Sequence, residues 1–80
     1  MEPEAVVNKR RAKVRILAHL RRYGVCLTQN MARILDLHER SAQRYMQDLL
    51  ADGLVEVARR GEGGAPHWTL TDKGRQAVTR

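Results

Sequence analysis

The sequence predicts an α+β fold, mainly α with a small β-hairpin, formed as a single domain over residues 1–80. Three observations predict it. Apolar residues recur at spacings of three and four in successive stretches, the period of an amphipathic helix. After Gly53 the pattern changes to short β-rich runs on either side of a glycine-rich turn. Eighty residues with 42% hydrophobic content and no Phe suffice for one modest core and not for two.

The elements follow in chain order. From Ala5 to Tyr23, Val6, Val14, Ile16, Leu17 and Leu20 form an apolar stripe, with Lys9, Arg10, Lys13, Arg21 and Arg22 mostly off it. Gly24 stops this helix, and Val25-Cys26-Leu27 follows as a minimal strand in which Cys26 acts as a buried small hydrophobe. Thr28 is read as the N-cap of a short helix to about Leu35, with Met31, Ala32, Ile34 and Leu35 facing inward. Asp36-Leu37-His38 makes a turn. A third helix then runs from about Glu39 to Ala51, its buried seam Ala42, Met46 and Leu49 flanked by Tyr45 and Leu50.

Gly53 ends that helix, and Leu54 to Val57 reads as a strand. Gly61 to Pro66 is the turn, and His67 to Leu70 returns with Trp68 and Leu70 on one face, so Trp68 is assigned to the core. Thr71 caps a final helix to about Val78, interrupted by Gly74. The predicted order is α-(β)-α-α-β-β-α.

Fifteen Lys and Arg against nine Asp and Glu leave a net charge of +6, which favours a polyanionic partner. Most of the positive charge is Arg, which forks onto phosphate and guanine edges where Lys acts as a point charge. Cys26 is the single cysteine, so neither an internal disulfide nor a cysteine-based zinc site is expected, and a reducing, cytoplasmic setting fits. Arg15 and His19 interrupt the longest apolar stretch, which excludes a bilayer span and a signal peptide. The basic N-terminal third has some character of a mitochondrial presequence, but Glu2, Glu4 and its continuation into the fold pattern weigh against that. His19, His38 and His67 fall on three different elements, and no closely spaced carboxylate pair or metal-ligand motif accompanies them. No catalysis, cofactor, metal or small-molecule ligand is expected.

The stretch from Met31 to Val55, and the tail Trp68-Thr69-Leu70-Thr71-Asp72-Lys73-Gly74-Arg75, resemble winged helix-turn-helix transcriptional regulators of the MarR/ArsR-like superfamily. In those proteins the first stretch is the helix-turn-helix with the entry to the wing, and the second is the end of the wing. With the first helix included, the resemblance covers nearly the whole chain. Two positions depart from the pattern. His38 stands where Ser or Thr often caps the recognition helix, and Asp36 stands where Gly is common in the turn. The resemblance implies a bacterial, phage or plasmid regulator, with a repressor or activator role expected and the first helix facing away from DNA.

Residue chemistry supports the same reading independently. A major groove about 12 Å wide admits one helix, whose exposed residues must offer donors to base edges and phosphates. Arg40, Ser41, Gln43, Arg44 and Gln47 all avoid the Ala42, Met46, Leu49 seam and are the candidate base readers of double-stranded DNA. Thr28, Gln29, Asn30 and Arg33 at the second helix are candidates for the DNA backbone, because helix N-termini favour phosphate. Arg59, Arg60 and His67 are candidates for a basic wing over 59–67, on the backbone or in the minor groove. Lys9, Arg10, Arg11 and Lys13 are read as a solvated helix face.

The alternative is a protein-binding winged-helix adaptor, or a small phage or plasmid protein gripping an acidic partner. Such an adaptor should expose an apolar patch, whereas the third helix exposes Arg, Ser and Gln. Homodimerisation is expected because a single recognition helix gives a small interface. The surfaces available for it are Val6, Val7 and Val14 on the first helix and Ala77 and Val78 on the last.

Overall fold

In a computed structural model the backbone of residues 4–78 and the side chains of residues 8–78 are described. The expectations for the side chains of Val6 and Val7 therefore lie outside the described residues. The order is α1 (Glu4–Tyr23), β1 (Val25–Leu27), α2 (Thr28–Ile34), α3 (Glu39–Ala51), β2 (Val55–Arg60), a single 3₁₀ turn (Glu62–Gly64), β3 (Pro66–Leu70) and α4 (Asp72–Val78). The predicted order α-(β)-α-α-β-β-α is the one observed. The three strands form one antiparallel sheet in the order β1-β3-β2, so β3 is central.

Helix α1 buries Ala12, Ile16, Leu17 and Leu20. Val14, expected in that stripe, is 59% exposed. It lies two residues from Ile16, about 200° around the helix, whereas Ala12 lies a full turn away on the same face. Ile34 is corrected for the same reason. The inward face of α2 is Thr28, Met31 and Ala32, continued by Leu35, and Ile34 at 58% exposure falls off that series. The seam of α3 is as expected, with Ala42, Met46 and Leu49 buried, and Tyr45 packs half-buried against the core. Six larger side chains, Ile16, Leu20, Met31, Met46, Leu49 and Val55, are fully buried. Burial of that kind is worth about 1.5–3 kcal/mol per side chain and holds three helices and β2 on one cluster.

The turns follow from main-chain chemistry. After α3 the Gly53 N–H donates to the Leu50 carbonyl at 3.0 Å and the Leu54 N–H to the Leu49 carbonyl at 3.0 Å, the pairing that closes a helix through a left-handed residue. Gly53 supplies that residue with φ +75°. Asp36 plays the same part after α2, with φ +55°, and the Leu37 N–H reaches the Ala32 carbonyl at 2.8 Å. Asp tolerates this conformation better than most residues, which is how the turn forms without glycine.

Strand β2 extends to Arg60, beyond the expected Val57, so Arg59 and Arg60 belong to the sheet. A β-bulge falls between Val57 and Arg59. Helix α4 runs unbroken through the buried Gly74, which was expected to interrupt it. A Cβ at that position would collide with the Leu54 carbonyl oxygen, so Gly74 lets the last helix lie directly on the chain entering β2. Thr71 caps α4 as expected, its Oγ1 accepting from the Gly74 N–H at 3.0 Å.

Candidate nucleic-acid interface

Helix α3 stands beside β3 across an open groove of about 530 Å³. One wall is α3 itself, presenting Arg40, Gln43, Arg44 and Gln47, with Glu39 at its upper edge. The other is Ala65 and Pro66, where the turn enters β3, and Leu27 with the first residues of α2 closes one end. The core seam of α3 explains the first wall. With Ala42, Met46 and Leu49 turned inward, Arg40, Arg44 and Gln47 lie diametrically outward and Gln43 leans toward the wing. Arg40, Gln43, Arg44 and Gln47 are all exposed.

Ser41 is the candidate base reader that the structure does not bring into the groove. It is half-buried and sits on the opposite flank of α3. Helix α3 begins at Glu39, and the Nδ1 of His38 accepts the Arg40 N–H at 3.2 Å. His38 therefore does the capping that Ser or Thr would do at this position.

Thr28 is not the N-cap of α2. Leu27 occupies that position and gives no side-chain cap, while Thr28 is the first helical residue and is buried. Its Oγ1 accepts a 2.7 Å hydrogen bond from Trp68 Nε1. The hydroxyl is thus engaged as an acceptor within the core. Gln29, Asn30 and Arg33 remain exposed on α2. The same hydrogen bond anchors β3 to α2 beneath the groove, supplementing the β1–β3 pairing of Cys26 with Trp68 and Leu27 with His67.

The wing places its three candidates differently. The Arg59 side chain is exposed, with no hydrogen bond or ion pair among the described residues. Arg60 is exposed but donates from Nη1 to the Gly64 carbonyl at 2.9 Å, which ties down the wing tip. His67 is half-buried across the sheet from Arg59, its ring packed so closely on Gly61 that a Cβ there would come within 2.6 Å of Cε1. His67 Nδ1 is enclosed without a hydrogen-bond partner. The ring is part of the wing's packing, with one nitrogen turned from solvent.

Reading the residues alone missed two features. The first is Asp48 on α3, whose Oδ2 lies 3.0 Å from Lys9 Nζ and 3.3 Å from Lys13 Nζ. Hydrogen bonds from Lys9 and then Lys13 hold its carboxyl below the usual carboxylate range. The two lysines are therefore paired rather than merely solvated, and they offset an acid on α3. Their i, i+4 spacing was the available signal. The second is the apolar wall Ala65–Pro66, read only as the end of a turn. Elsewhere, burial raises the Cys26 thiol, consistent with a core role, and lowers His19, which stacks on Tyr23 at 4.7 Å.

No family model matches the chain, and no curated protein matches it by sequence. Its fold does match solved structures. A MarR family transcriptional regulator from Silicibacter pomeroyi superposes with a TM-score of 0.77 at 22% identity, over 92% of this chain and 50% of that one. YusO from Bacillus subtilis gives 0.75 at 18% identity, over 81% and 47%. The Zalpha domain of zebrafish PKZ gives 0.72 at 25% identity, over 81% of this chain and 98% of that one. The chain thus spans about half the length of the two bacterial proteins and nearly all of the Zalpha domain. It has the winged helix-turn-helix fold, with α2 and α3 as the helix-turn-helix and β2–β3 as the wing.

Proposed function

We propose that this protein is a sequence-specific regulator of transcription that binds double-stranded DNA, placing α3 in the major groove and the wing on the backbone or in the adjacent minor groove. The observation that carries the reading is the groove wall of Arg40, Gln43, Arg44 and Gln47, a row of exposed donors on the outward face of α3. Arg40 and Arg44 suit guanine O6 and N7, and Gln43 suits adenine N6 and N7. Arg59 is the wing cation with the freest reach to phosphate. Gln29, Asn30 and Arg33 are backbone contacts that fix register without reading sequence. A homodimer would pair two such helices on half-sites about one turn apart. Exposed Val14 and Ala77 are available to it, while Val78 packs partly against the core.

The adaptor reading has one observation in its favour. Tyr23, Val25 and Ile34 form exposed apolar surface where α1, β1 and α2 meet. That surface lies beyond α2 from the α3 groove, so it suits a partner held alongside DNA.

The deciding experiment is a fluorescence-anisotropy titration of a randomised duplex at several salt concentrations, with Arg40→Ala/Arg44→Ala alongside. Binding that falls steeply with salt and further in the double variant supports the proposal. A folded protein that binds no duplex at low salt would transfer the reading to the apolar surface and a protein partner.

A further inference from the structure

Between Asn8 and Tyr23 helix α1 carries no acidic residue and seven basic ones, Lys9, Arg10, Arg11, Lys13, Arg15, Arg21 and Arg22.

 Two of the seven, Lys9 and Lys13, neutralise Asp48, and Arg21 donates from Nη1 to the Val78 carbonyl at 3.2 Å. Of the other four, Arg10 has an interaction of its own, and Arg11, Arg15 and Arg22 lie on the face turned away from the core, all exposed, with Ala18 between them. Their spacing of four and seven residues sets them in one line along the helix. None pairs with a carboxylate among the described residues, and Arg22 lies 5.5 Å over the ring of Tyr23.

We infer that this outer face of α1 is a second, sequence-independent contact for duplex DNA, so that one molecule holds two duplex segments at once. The inference rests on the DNA-binding reading of α3. Helices α1 and α3 bury their inner faces in the same cluster, Ile16 and Leu20 from one and Met46 and Leu49 from the other, and no residue of α1 lines the α3 groove. A duplex in the α3 groove therefore leaves the arginine line open.

The line is about 16 Å long, a length over which duplex DNA presents about ten phosphates. A lipid surface is the poorer fit, because the apolar side of α1 is buried and the basic side has nothing to insert. An acidic protein is also the poorer fit, since on the line itself only small Ala18 is apolar, with exposed Val14 at its flank, and Ala18 offers no anchor.

The test is a bead assay. One duplex is immobilised, protein is added, and capture of a second, fluorescent duplex is read for the wild type, for Arg11→Ala/Arg15→Ala/Arg22→Ala and for Arg40→Ala/Arg44→Ala. Alanine is the strongest helix former, and circular dichroism checks that α1 persists. The wild type should capture the second duplex. The triple variant should still bind a single duplex in solution but lose capture by about tenfold or more, and three phosphate contacts imply that capture weakens on the order of 40-fold between about 50 and 200 mM salt.

Equal capture by the triple variant would overturn the inference and assign bridging to the recognition helices of a dimer. A wild type that binds one duplex but captures none would overturn it while leaving the α3 reading intact. A wild type that binds no duplex at all would remove both. Loss of polyglutamate binding in the triple variant, with duplex capture unchanged, would overturn it in favour of an acidic protein.

Discussion

Trp68 Nε1 and Thr28 Oγ1, forty positions apart in the chain, satisfy each other inside the protein at 2.7 Å. Replacing Thr28 by Val keeps the shape and strands the indole N–H, which should cost about 1–3 kcal/mol. Urea unfolding measures it, and a change within error would mean that water reaches the indole. Gly74→Ala tests a second close approach. Alanine is the better helix former, yet its Cβ would meet the Leu54 carbonyl oxygen, so destabilisation of about 1–3 kcal/mol is expected where propensity alone would favour the variant. At the interface, Arg40→Ala and Arg44→Ala should each cost about 1–3 kcal/mol on a selected site and less on random duplex, whereas Arg59→Ala should weaken both alike. Equal losses for all three on both duplexes would remove the base-reading assignment.

Among the elements, α1 and α3 are joined by an ion cluster that depends on pH. Asp48 is held below its ordinary range by Lys9 and Lys13, so its contribution is present above the carboxylate range of the unfolded chain and is lost as pH falls through the lower folded value. Thermal denaturation of the wild type should therefore lose more stability than Asp48→Asn between neutral pH and about pH 3. Parallel curves would show that the cluster contributes nothing. The helices themselves were legible because Ala42, Met46 and Leu49, and Ile16 and Leu20, keep strict helical spacing. Val14 and Ile34 were misassigned because an apolar residue next to a stripe reads like a member of it, and only the angle around the axis separates the two. Thr28 was misread because a Thr at a helix start is usually a cap, and nothing local announces a tryptophan partner so far along the chain.

At the scale of the molecule, the recognition wall of α3 could be read from one helix, but the groove could not. Its second wall depends on β3 lying between β1 and β2, and the β1–β3 half of that order is fixed by pairings between residues forty or more positions apart. The paired Asp48 was hidden for a similar reason, since its partners sit on another helix. The charge balance of the whole chain was legible and carries its own expectation. With +6 overall, affinity for random duplex should fall linearly in log–log form with salt, and a slope indistinguishable from zero would exclude phosphate contacts as the main attraction.

The bond between Trp68 and Thr28 has a mechanical consequence. It fastens the strand that forms one wall of the groove to the helix that packs against the other, and the α2–α3 turn is itself closed by its own hydrogen bonds. The bond thereby resists a change in the spacing of the two walls. If the proposed duplex contact is made, duplexes that already fit that spacing should be favoured over those that must be bent or widened.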